Sequence, residues 1–148
     1  MMKKLMMFTA VVSVCLFFVA SAAQAQGFVD RADESLQIVA GGKMMLAYAK
    51  KLTSAQNPDR AWLADQGHIL IRRGFNYMDE GQMDYSEDAS SYMQQIGQQL
   101  LKSGGALVKI GRNQGPLTQQ EKDEIAKQAG YLKKIGDVMV NKSQVWGG

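Results

Sequence analysis

The sequence has little of what most catalytic and metal centres are built from. Among 148 residues there is one cysteine, Cys15, and one histidine, His68. Cys15 falls in a segment expected to be removed, which would leave the mature chain without a thiol. That excludes disulfides, thiol catalysis and covalent c-type haem, for which no C-x-x-C-H exists. One histidine cannot furnish a His-rich metal centre. An excess of charge is missing too: 17 basic residues face 14 acidic ones, and without Lys3 and Lys4 fifteen face fourteen. A net charge of +1 lacks the electrostatic footprint of nucleic-acid binding. Proline occurs twice, and alternating strand patterns are absent. Beyond the first 25 residues no apolar run approaches the ~20 residues that a membrane-spanning helix needs.

What is present begins with an export signal. Lys3 and Lys4 form a positive start, Leu5 to Ala20 is an uncharged apolar stretch, and Ala23-Gln24-Ala25 presents the small-x-small pattern read by signal peptidase. Residues 1–25 are therefore expected to be cleaved, with a new N-terminus at Gln26. Val14 stands where a lipid-modified cysteine at position 15 would need a small residue, so lipidation is not expected. The product, residues 26–148, is expected in the periplasm or secreted, as a single helical domain without a membrane span.

Helix signals dominate that domain. Asn57-Pro58 has the form of an N-cap followed by proline at the first helical position, where a missing N–H costs nothing. Thr118-Gln-Gln-Glu121 has the form of a capping box. Asp30-x-x-Asp33 and Asp84-x-x-Glu87 are weaker versions. These starts divide the chain into helices over roughly 31–53, 58–80, 86–112 and 119–142. The fold class expected is all-α, a four-helix bundle-like domain whose short connections favour antiparallel neighbours.

Glycine recurs inside these segments at heptad scale. Gly41, Gly67, Gly74, Gly97, Gly104 and Gly136 are each followed by large apolar residues three and four positions on, such as Leu70 and Ile71 after Gly67. Positions i, i+3 and i+4 share a helix face, which puts each of these glycines on the apolar stripe. Gly67-Gly74-Gly81 and Gly97-Gly104-Gly111 keep strict seven-residue spacing. Gly130, followed by Lys133 and Lys134, lies off the stripe. A glycine in a helix interior costs about 1 kcal/mol relative to alanine, so something offsets the stripe. Close approach of helices explains it most simply. A groove for a flat or elongated ligand, or helices completed by a partner, are the alternatives.

The remaining candidates carry less chemistry. Asp65 and His68 make one acid-x-x-His pair, but a di-metal carboxylate site needs a second such pair and further carboxylates. Asp84 and Glu87 belong to an acidic stretch running from Asp79 to Asp88 whose spacing fails the EF-hand pattern. No metal and no cofactor are expected. Met44, Met45, Met78, Met93 and Met139 read as core filling, with Met83 in a loop. Trp62, Tyr48, Tyr77, Tyr92 and Tyr131 read as core anchors. Trp146, placed after the last helix, either staples the tail to the bundle or contacts a partner. The sequence thus points to a non-enzymatic binding protein of the cell envelope, a protein-interaction module contacting an envelope protein or a second copy of itself. The alternative is a carrier holding a small apolar ligand between helices. Gly67, Gly74, Gly97, Gly104 and Trp146 are the candidate ligand- or partner-binding residues.

Overall fold

The computed structural model describes residues 31–82 and 85–146. The expected signal peptide and its cleavage site, the Asp30 cap, Met83 and Asp84 lie outside the described residues. Four helices and no strand occur among them: α1 (Arg31–Ser54), α2 (Arg60–Glu80), α3 (Glu87–Arg112) and α4 (Gln119–Trp146). The protein is an all-α, four-helix bundle-like domain. No helix among the described residues is long and apolar enough to cross a membrane.

Local chemistry sets most boundaries. The capping box before α4 is complete. The Thr118 hydroxyl accepts from the Glu121 N–H at 3.2 Å, and the Glu121 carboxylate accepts from the Thr118 N–H at 2.8 Å. Two caps differ from expectation. Asn57 takes a left-handed backbone conformation (φ 54°), which asparagine tolerates better than most residues. Pro58 therefore stays in the turn, and Asp59 caps α2 by accepting from the Trp62 N–H at 2.6 Å. Ser86, rather than Asp84, caps α3 through the Ala89 N–H. The reason lies in α1: the buried Glu34 carboxylate accepts from the Ser86 N–H at 2.6 Å and from its hydroxyl at 2.7 Å, fixing where α3 begins. At the far end, α4 runs to Trp146. Trp146 is thus the last residue of a helix, not part of a tail beyond it, because no breaker intervenes between 142 and 146.

The helices assemble as two antiparallel pairs, α2 with α3 and α1 with α4. α3 also meets α4 and α1 over shorter stretches, and it buries the most residues, from Ala89 to Ile110. Consecutive α1 and α2 share no backbone seam, contrary to the expectation from their short connection; each fits another helix better. Leu63, Leu70, Met93, Ile96, Leu100, Leu107 and Leu132 are fully buried, joined by Met45 and Met139. Trp62, Tyr48, Tyr77 and Tyr92 pack half-buried against this core. Tyr131 does not: it is 43% exposed, on the outer side of α4 beneath the Lys127 ammonium.

Candidate functional site

The heptad glycines form the contact line of the α2–α3 pair. A Cβ placed on Gly67 would lie 2.6 Å from the Gly104 carbonyl oxygen, and one on Gly104 would lie 2.6 Å from that of Gly67. One heptad along, Gly74 and Gly97 stand in the same reciprocal relation at 2.8 Å. The register continues to both ends of the seam, with Gly111 against the Arg60 carbonyl and Gly81 against that of Ser90. Backbone meets backbone here because no side chain stands between the helices. The space at Gly67, Gly74, Gly97 and Gly104 is filled by the facing helix.

The second seam repeats the device with a glycine that the stripe pattern missed. Gly42, not Gly41, faces α4, where its Cβ would meet the Gly136 carbonyl at 2.9 Å. One heptad further on each helix, Ala49 and Ala129 are both buried. Gly41 instead makes room for the side chains of Ile96 and Tyr77. The signal for Gly42 was available in the Gly41-Gly42 doublet, but sequence spacing alone cannot say which of two adjacent residues faces a partner.

Polar side chains then lock the pairs together. Arg60, at the start of α2, donates to the Ile110 carbonyl at 2.6 Å, the Gly115 carbonyl at 2.6 Å and the Pro116 carbonyl at 3.0 Å. The same guanidinium grips Glu121 with two bonds, at 3.1 and 2.9 Å. Hydrogen bonds from Arg60, then from Asn113 and the Thr118 backbone, hold the Glu121 carboxyl down at about 2. Between α3 and α4, Gln99 donates to Ser103, Ser103 to Gln128 and Gln128 to Glu124, at 2.9, 2.8 and 2.7 Å. Among the described residues no buried side-chain nitrogen or oxygen lacks a partner. Burial raises the Tyr77 phenol, and nearby Glu80 adds to the shift against Arg73; burial likewise raises Tyr85. These shifts carry Glu121, Tyr77 and Tyr85 away from neutral pH, the wrong direction for a general acid or base.

The metal candidates among the described residues, Asp65, His68 and Glu87, are not part of any ligand cluster. Asp65 and His68 are both exposed on α2, and Glu87 is exposed in the first turn of α3. Among the described residues no three His, Cys, Asp or Glu side chains cluster to hold an ion. The side chain of Trp146 lies outside the described residues.

Among the described residues, two of the open surfaces join exposed apolar side chains to a helix seam. On the outer side of the α2–α3 seam, Ile71, Phe75 and Met78 follow one another at helical spacing, and Phe75 is 56% exposed. Leu101 reaches the same seam from α3, beside Gly74. On the outer side of the α1–α4 seam lies a shallow cleft in two adjoining recesses of about 390 and 320 Å³, which share Thr53 and Ala126. Sequence reasoning missed both, because outward-facing apolar residues look like core positions until the neighbouring helices are placed. No known protein family, characterised protein or solved structure matches the chain.

Proposed function

We propose that the protein is an exported, non-enzymatic helical protein of the cell envelope that acts by binding another protein, or a second copy of itself, through the outer face of the α2–α3 pair. The observation that carries this reading is the exposed apolar stripe at Phe75. A large aromatic more than half exposed, flanked by half-buried Ile71 and Met78, is the kind of contiguous apolar patch that marks an interaction surface on a soluble domain. Aromatic side chains also dominate the energetics of such contacts. The close backbone-to-backbone glycine seam beneath supports the reading, since a well-packed platform needs less ordering on association. Export is supported by the n-region, apolar stretch and Ala23-Gln24-Ala25 pattern of the first 25 residues.

Photo-crosslinking in the producing cells tests it. A benzoylphenylalanine in place of Phe75 should give a covalent adduct with another polypeptide or with a second copy. The same residue in place of exposed Lys134 should give none. N-terminal sequencing of the captured protein should start at Gln26. Equal crosslinking from both positions, or none from position 75, would overturn the proposed surface; a start at Met1 would overturn export.

A further inference from the structure

We propose that the cleft along the outer side of α1 and α4 binds a single-chain amphiphile with an anionic head group, at a site separate from the α2–α3 face. Its floor is apolar, with alanines set between larger residues: Leu46, Ala49, Ala126 and Ala129 line one recess, and Leu117 and Ile125 continue it into the other. Each recess lies within the volume range of small-ligand sites, roughly 300–1,000 Å³.

Three observations select the occupant. The first is size. A helix about 10 Å across with a 5.4 Å pitch takes up about 400 Å³ per turn. An extended hydrocarbon chain is much thinner and can run through both recesses, which adjoin at Thr53 and Ala126. The second is charge. The recesses are lined by Lys50, Lys122 and Lys133 and by no carboxylate. Lys133 is paired with Asp137 at 2.8 Å, while Lys50 and Lys122 have no ion pair among the described residues. An anionic head near them is attracted and a cationic one repelled.

The third is Gly130. It lies inside α4, is exposed, and a Cβ built there would meet nothing within 4 Å. The seam glycines are accounted for by the backbone they face; Gly130 faces none. It lines the larger recess, where any side chain would project into the open space. Gly105 is equally open but lines neither recess; what sets Gly130 apart is that a side chain there would fill the space the amphiphile needs.

Isothermal titration of the mature chain below the critical micelle concentration of each probe tests the proposal. Laurate and a lysophosphatidate serve as the anionic probes, and their relative affinities separate a free fatty acid from a phosphorylated lipid as the natural source. At least one should saturate at one site per chain. Dodecyltrimethylammonium should bind at least about tenfold more weakly. Gly130→Leu should weaken the anionic probe by about tenfold or more, while Gly105→Leu, an exposed helical glycine elsewhere, should leave it unchanged. Lys50→Glu with Lys122→Glu should abolish the preference for the anion, a readout that does not depend on how the leucine variant folds. No saturable binding of either anion, equal binding of the cationic amphiphile, or indifference to both sets of substitutions would overturn the site. Saturable binding of an acidic amphipathic peptide in place of the lipid probes would overturn it in favour of a protein occupant.

Discussion

Gly104 and Gly105 are adjacent in the middle of α3 yet stand in opposite surroundings. A Cβ on Gly104 would lie 2.6 Å from the Gly67 carbonyl oxygen, 2.8 Å from Ile71 Cγ1 and 2.9 Å from the Ile71 backbone nitrogen, whereas one on Gly105 would meet nothing within 4 Å. On intrinsic helix propensity alone, alanine at either position should stabilise by about 1 kcal/mol. At Gly105 nothing opposes that gain, so Gly105→Ala should raise stability by about 0.5–1 kcal/mol. At Gly104 the opposing atoms are mainly backbone and cannot rotate away. Ordinary van der Waals contact starts near 3.4 Å, so α2 and α3 must part by about 0.8 Å at that point. A gap of 0.5–1 Å forfeits roughly a quarter to a half of each dispersion contact along the separated stretch, and overpacking of well-packed cores costs typically about 1–3 kcal/mol. Taking the upper part of that range for a backbone clash and subtracting the propensity gain, Gly104→Ala should lose about 1–2 kcal/mol. The two neighbours then differ by about 1.5–3 kcal/mol, or roughly 1 M in urea midpoint at a slope near 2 kcal/mol per M. Urea denaturation followed by far-UV circular dichroism resolves that readily. A double-mutant cycle sharpens it: Gly67→Ala with Gly104→Ala should cost less than the two losses added, because one separation of the helices relieves both contacts. Gly42→Ala with Gly104→Ala, on different seams, should be additive. If Gly104→Ala proved as stable as Gly105→Ala, the backbone-contact account of the seam would be refuted.

Two further outcomes follow from the polar locks. Glu121 titrates near 2 when folded and near 4.5 when unfolded, so its contribution to stability is complete above about pH 4.5 and is lost as pH falls towards 2. Over that window the wild type should lose stability more steeply than Glu121→Gln, as read from urea midpoints at a series of pH values; parallel curves would show that the Arg60 grip contributes nothing. Ser103→Ala should cost about 1–3 kcal/mol in urea denaturation, because it strips the buried Gln128 carbonyl of its donor and Gln99 of its acceptor. A neutral result there would mean that the two glutamines find other partners.

Much of this protein is written in local pattern. The complete Thr118–Glu121 box, the apolar residues three and four positions after each stripe glycine, and the absence of strand alternation are short-range features, decided within a turn or two of helix. They determine that four helices form, roughly where they begin, and which face of each is apolar. Even at this range the α3 cap escaped: Ser86 wins over Asp84 because Glu34, more than fifty residues away in sequence, holds it. Tyr131 was misplaced for a related reason. An aromatic in a helix can serve the core or solvent, and the choice depends on where the neighbouring helices lie.

What only the tertiary structure decided is who faces whom. A small residue every seven positions is the same signal in every helix, so nothing in the spacing says that Gly67 meets Gly104 rather than Gly136, or that Gly42 is turned to α4 while Gly41 is turned to Tyr77. That choice is made by the simultaneous fit of side-chain volumes along both seams, and by bonds between distant residues: Glu34 with Ser86, Ser103 with Gln128, and Arg60 with the 110–121 connection. The open cleft beside Gly130 is a product of the same assembly. It exists only because α1 and α4 lie side by side, and local sequence carries no term for a neighbour it cannot reach.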